Sequence, residues 1–250
     1  MASAAYSTAE TFPRCLLDQA QRNAEKPAIR EKYLGIWQTW TWREVSDEVR
    51  ALACGLAAKG FKQGDKLALI GDNRPRLYWS MSAAQCLGGI PVPMYQDSVA
   101  DELQYVVEHA EVRFAVAENQ EQVDKLLEIK DRCPNLEFII YCDPRGMRTY
   151  SQEFLIALES LQQSGRDFET KNSAFFLDEI NKVQSSDVAC ILYTSGTTGN
   201  PKGVVLSHES LIKTATNAAN WDQLTADGDV LAYLPMAWVG DNLFSYSESY

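Results

Sequence analysis

The sequence predicts an α/β protein, with a mostly parallel sheet and helices on both faces. Three observations lead there. Short, continuous apolar runs recur along the chain, as at residues 66–70 and 188–192. Runs of that kind suit strands covered on both sides. Other stretches space their apolar residues three and four apart, as Val45, Val49, Leu52 and Leu56 do, which is one face of a helix. The two kinds alternate, and a strand–helix–strand order is closed most simply by parallel pairing.

Taken in order, residues 11–23 carry Phe12, Leu16, Leu17 and Ala20 at helical spacing. Residues 28–33 and 36–40 flank Leu34-Gly35 and predict a hairpin. A helix then begins at Thr41, where Glu44 three residues on completes a capping box. Gly60 stands where its C-terminal cap belongs. Residues 66–70 read as a buried strand and residues 76–86 as a helix. Residues 90–95 read as extended, because Pro91 and Pro93 forbid a helix interior and suit an edge or a loop. Further helices are predicted at 99–110, 120–132, 149–163 and 174–181, and strands at 113–117 and 137–142. Ser207 caps a helix running to about residue 220, and residues 229–234 read as a strand. Two breaks are candidate subdomain junctions: residues 143–148, with Pro144 and Gly146, and the polar stretch 164–173. Trp37, Trp40 and Trp42 are read as core and hairpin packing.

The 250 residues are enough for a sizeable core. Hydrophobic content of 46% with 23% charged residues is that of an ordinary globular chain. A net charge of −11 argues against a nucleic-acid partner. It also means that anionic ligands must be held by local features. Two histidines, His109 and His208, exclude a histidine-rich metal site, and no metal ligand is assigned. His208, just after the Ser207 cap, is read as a helix-start residue. The six cysteines form no C-x-x-C pair and mostly sit in apolar stretches, so buried thiols are expected. Residues 1–11 lack the basic and apolar parts of a secretory signal. No segment approaches the ~20 apolar residues of a membrane span. A cytoplasmic protein is expected, with peripheral membrane contact left open.

The densest chemical signal is Tyr193-Thr194-Ser195-Gly196-Thr197-Thr198-Gly199-Asn200-Pro201-Lys202-Gly203-Val204. It leaves the apolar run 188–192, which Tyr193 is expected to end, and re-enters another at Val204-Val205-Leu206. Glycines let backbone N–H groups approach anionic oxygens. Hydroxyls add rotatable donors, and Lys202 adds a point charge. The run is therefore read as a phosphate-binding loop, formed by Thr194, Ser195, Gly196, Thr197, Thr198, Gly199 and Lys202. It is not a Walker loop, since Pro201 takes the second glycine's place and Gly203 follows Lys202 where a hydroxyl should stand. A flexible linker would not carry Pro-Lys-Gly into an apolar strand.

The run resembles the phosphate-binding signature of the adenylate-forming enzymes: acyl-CoA synthetases, peptide-synthetase adenylation domains and luciferases. Three more segments agree. Trp40-Thr41-Trp42-Arg43-Glu44-Val45 looks like the family's early helix-start motif. Leu87-Gly88-Gly89-Ile90-Pro91-Val92-Pro93-Met94-Tyr95 looks like its second motif, in the Pro-x-Pro-x-Tyr form of long-chain acyl-CoA synthetases. Leu234-Pro235-Met236-Ala237-Trp238-Val239-Gly240-Asp241 looks like the motif after the loop. The resemblance implies that the chain is the N-terminal part of the large domain of such an enzyme, with its C-terminal half and C-terminal domain absent.

It also implies a reaction. A fatty carboxylate attacks the α-phosphate of ATP, pyrophosphate leaves, and CoA then takes the acyl group from the adenylate. ATP, Mg2+ and CoA are the implied cofactors and co-substrates, and Lys202 is the implied catalytic cation. Trp238 stands where much of the family has histidine, which leaves a role in the acyl pocket and ordinary packing equally open. Asp241 matches an acidic position of the family, and a solvated carboxylate explains it equally well. Two rival readings stay open: an adenylate-forming enzyme for aryl or amino acids, and a non-catalytic nucleotide-binding or interaction module. The isolated 250 residues are expected to make no acyl-CoA.

Overall fold

The computed structural model describes residues 10–194, 200–225 and 228–246. Helix α1 (Phe12–Arg22) leads into the hairpin β1 (Pro27–Tyr33) and β2 (Ile36–Thr41). Leu34 and Gly35 both take positive φ, 48° and 82°, the turn that matches the twist of a two-residue hairpin. Helix α2 (Trp42–Ala58) follows. Its Thr41 side chain accepts from the Glu44 N–H, and Glu44 in turn accepts from the Thr41 N–H at 2.7 Å, completing the capping box. Gly60, at φ 89°, ends it. There Phe61 N–H reaches Leu56 O at 3.0 Å and Gly60 N–H reaches Ala57 O at 2.9 Å, the paired bonds of a Schellman cap.

Five parallel strands form the main sheet. They are β3 (Lys66–Ile70), β4 (Ile90–Met94), β5 (Val112–Ala117), β6 (Phe138–Tyr141) and β7 (Leu155–Ala157), in the order β4-β3-β5-β6-β7. Between them run α3 (Pro75–Cys86), α4 (Ala100–His109) and α5 (Gln120–Ile129). Then come α6 (Leu158–Lys171) and α7 (Phe175–Lys182). Leu67 and Leu69 of β3 face a core shared by α1, α2, α3, α6 and α7, whereas Ala68 and Ile70 face α4 and α5. Helices thus cover both faces, as the alternation predicts. All six cysteines are buried. Among the described residues, no helix is long and apolar enough to cross a membrane.

The prolines of β4 fall where a strand tolerates them. Ile90 N–H bonds Asp65 O at 2.8 Å, so Ile90, Val92 and Met94 present their nitrogens to β3. Pro91 and Pro93 then direct theirs to the outer edge, where no ladder bond is lost. Beside that edge packs β8 (Val188–Thr194). It pairs not with β4 but antiparallel with β9 (Lys202–Ser207), and α8 (His208–Asp222) follows.

Four expectations are corrected. Residues 149–163 are not one helix: Leu155–Ala157 joins the sheet as β7 and a helix starts only at Leu158. The apolar run around Leu155 fits either state, and pairing with β6 decides it. Residues 164–173 are not a break, since α6 runs through them to Lys171. Gly165, inside that stretch, sits where α6 crosses α2: a Cβ there would strike Ala51 O and stand 2.6 Å from Gly55 N. Residues 229–234 form no strand, and among the described residues no strand pairs with them. Trp37 is 64% exposed on the hairpin, while Trp42 is buried and Trp40 meets Trp79 edge-on at 5.4 Å.

Candidate functional site

The residues expected to bind phosphate hang from the β8–β9 pair. Thr194 ends β8, Lys202 begins β9, and the two are the last partners in register. The chain between them is therefore closed at its base, which a linker would not require. Ser195, Gly196, Thr197, Thr198 and Gly199 lie outside the described residues. Lys202 is exposed, and among the described residues it pairs with no carboxylate. An exposed ammonium without a carboxylate partner among the described residues is what an anionic ligand needs in a chain of net charge −11.

The base of the loop is built from packed groups. Tyr193 is buried, and its hydroxyl lies 2.6 Å from His109 Nδ1 at the end of α4. Burial raises the Tyr193 phenol, which keeps its proton on the oxygen. Across the pair stands Gly203. A Cβ on Gly203 would come 3.3 Å from Tyr193 Cζ and 2.9 Å from Ile191 Cγ2. Gly203 thus makes room for the tyrosine ring, a role distinct from phosphate approach. On the other side, Gln85 of α3 donates to Ala189 O at 2.9 Å and ties β8 to the helical layer.

A second group gathers around the segment 234–246. Trp238 is half exposed and lies near Tyr95, the residue just after β4. Burial raises the Tyr95 phenol, and the neighbouring Trp238 side chain opposes the rise. Two motifs far apart in sequence therefore meet here. Asp241 opens a π-helical turn, Asp241–Tyr246. It is 1% exposed, so the solvated reading is corrected. Tyr78 O–H donates to both of its oxygens, at 2.8 and 3.0 Å, and Asn73 Nδ2 donates at 3.2 Å. Asn73 also holds Leu234 O at 2.7 Å. Burial raises the Asp241 carboxyl, while hydrogen bonds from Tyr78, Ser245 and Asn73 oppose the rise. The sequence offers one sign of this burial: Asp241 sits within an apolar stretch ending at Phe244. The role of His109 has no local sign, because the residue it meets is 84 positions away.

Among the described residues, no group of three or more His, Cys, Asp or Glu side chains is placed to hold a metal ion.

Comparison with known proteins gives a family and a fold. The family described as AMP-binding enzyme matches residues 16–246. The long-chain-fatty-acid–CoA ligase ACSBG2 of Xenopus laevis is 29% identical over 235 residues, covering 92% of this chain and 31% of that protein. Long chain acyl-CoA synthetase 3 of Arabidopsis thaliana is 31% identical over 216 residues, covering 83% of this chain and 31% of that protein. The chain thus spans about a third of the length of these relatives. The structure of a long-chain-fatty-acid-CoA ligase (FadD1) from Archaeoglobus fulgidus superposes with a TM-score of 0.78 at 20% identity. That match covers 96% of this chain and 45% of the other. ATP-bound MatB from Rhodopseudomonas palustris superposes with a TM-score of 0.71 at 19% identity, over 96% of this chain and 43% of that one.

Proposed function

The chain belongs to the AMP-binding enzyme family, and from that premise we propose that it is the N-terminal portion of the adenylation domain of a long-chain fatty acid–CoA ligase. The observation that carries the reading is the closed base of the loop, with Thr194 and Lys202 in register and the ammonium exposed. A fatty carboxylate is itself the nucleophile, so the protein need supply no general base. It attacks the α-phosphorus of ATP, the bond to the β-phosphate oxygen breaks, and pyrophosphate departs. Negative charge grows on that leaving group. Lys202, at the start of β9, is the cation proposed to meet it, with the glycines and hydroxyls of the run 194–199 as the further donors, which is catalysis by preorganised electrostatics. CoA sulfur then attacks the acyl carbon and AMP leaves. Long-chain acids are favoured over aryl or amino acids by the Pro91-Val92-Pro93-Met94-Tyr95 segment and by the names of the relatives. Trp238, near Tyr95, is the residue proposed to border the acyl chain.

The test uses the full-length protein with ATP, Mg2+, palmitate and CoA. Palmitoyl-CoA and AMP should form together. Lys202→Ala should slow pyrophosphate release in a pre-steady-state assay by about one to two decades, the worth of a charge-assisted contact of ~1.5–3 kcal/mol. Unchanged release would remove Lys202 from the reaction. Residues 1–250 alone should form no acyl-CoA, and sustained turnover by them would overturn that reading.

A further inference from the structure

The contacts behind the loop carry an inference that rests on the phosphate-binding reading and goes beyond it. Tyr193 is the last buried residue before Thr194, so its side-chain position fixes where the loop begins. Three contacts hold it. Its hydroxyl shares a 2.6 Å hydrogen bond with His109 Nδ1. The His109 ring meets the tyrosine ring edge-on, with centroids 5.7 Å apart, and is itself stacked on Tyr105 at 5.4 Å. Across the strand pair, the space left by Gly203 receives the tyrosine ring. Gly203 is also the residue after Lys202, so the same ring touches both strands at the base of the loop.

We propose that His109 and Tyr193 are positioning residues for ATP: the hydrogen bond between them, seated against Gly203, holds both ends of the phosphate loop from α4. Neither side chain is required to touch the nucleotide. Flanking residues such as Thr194 and Lys202 that are fixed in advance lose less conformational freedom when a ligand binds beside them. Freeing the tyrosine should therefore weaken ATP binding and leave binding of the acid unaffected.

The experiment measures KM for ATP and for palmitate, and kcat, in the full-length protein by ATP–pyrophosphate exchange. Direct titration with ATP accompanies it. The variants are Tyr193→Phe, His109→Leu, His109→Asn and the double variant Tyr193→Phe/His109→Leu. Asparagine places an amide where Nδ1 stood and can keep the bond. Tyr193→Phe and His109→Leu should each raise KM and Kd for ATP about two- to fivefold, the span of one partly exposed hydrogen bond. KM for palmitate should stay within experimental error. His109→Asn should restore most of the ATP affinity. The double variant should be no worse than either single one, because both remove the same bond. Unchanged ATP affinity in both single variants would sink the proposal, as would equal rises in both KM values, additive losses, or no rescue by asparagine. Failure of the unmutated protein to bind ATP would instead overturn the phosphate-loop reading, and this inference with it.

Discussion

His208 begins α8 with no room to be charged. It is fully buried, and its Nδ1 accepts the Phe12 N–H at 3.3 Å, docking α1 on the start of α8. Burial pulls its pKa from 6.5 down to about 4, against a smaller opposing pull from Asp187. A depressed pKa in the folded state means that its stabilising contribution is whole above pH 6.5 and is lost as the pH falls toward about 4. The loss across that window should be about 3 kcal/mol. Urea midpoints measured from pH 7 downward should show it, and His208→Phe should flatten the curve. Asp241 works with the opposite sign. Its folded pKa is raised, first by burial, so its contribution is present below the ordinary carboxylate range and erodes as the pH rises through the raised value. Relative to the unmutated protein, Asp241→Asn should gain stability as the pH rises. A falling ratio would show that the hydrogen bonds from Tyr78 and Asn73 outweigh burial.

Among the elements, the crossing of α2 and α6 depends on two residues without side chains. A Cβ on Gly165 would strike the backbone at Ala51 O and stand 2.6 Å from Gly55 N. One on Gly55 would strike Leu161 O. Backbone cannot swing aside, so Gly165→Ala should part the helices. The expected loss is about 1–3 kcal/mol from overpacking, against the ~1 kcal/mol that alanine gains in an isolated helix. A raised melting temperature would show that the helices can separate cheaply. Thr41→Ala, by contrast, should cost about 1 kcal/mol through the lost cap alone. The contrast marks what the sequence discloses. The Thr41/Glu44 box, the Leu34-Gly35 turn and the Gly60 cap depend on residues close along the chain, and each is found where it is expected. So are the two strands that flank residues 195–201. Gly165 carries no such local sign: the same letter serves as a breaker or as a contact, and only α2, more than a hundred residues away, decides. Leu155–Ala157 and residues 229–234 fail likewise, because a strand is completed by its neighbour. At the site, the two strands that flank residues 195–201 are legible, whereas the enclosure of Asp241 by Asn73 and Tyr78 is created by folding.

The whole molecule is uneven in its surface. Val205, Trp221, Leu231, Tyr233 and Val239 are all exposed, and all belong to the part that begins at β9. Leu231 and Tyr233 are 77% and 74% exposed. Leu34, Ile36 and Trp37 of the β1–β2 hairpin are exposed as well, and apolar exposure of this extent favours association. Residues 1–250 expressed by themselves should therefore self-associate at micromolar concentration in light scattering, and Leu231→Lys with Tyr233→Lys should reduce it. An unmutated chain that stays monomeric would count against this. The main sheet meets the same hazard differently at its β4 margin. A flat row of free backbone donors there would be a template on which copies of the chain could add strand after strand into a fibril. Pro91 and Pro93 remove both donors that β4 would turn outward. The consequence concerns the crowded moments of synthesis, when strands exist before the layers that will cover them. On this side a growing filament finds carbonyl acceptors but no backbone donor, so half of the bonds a new strand would need are missing even before β8 packs beside the edge.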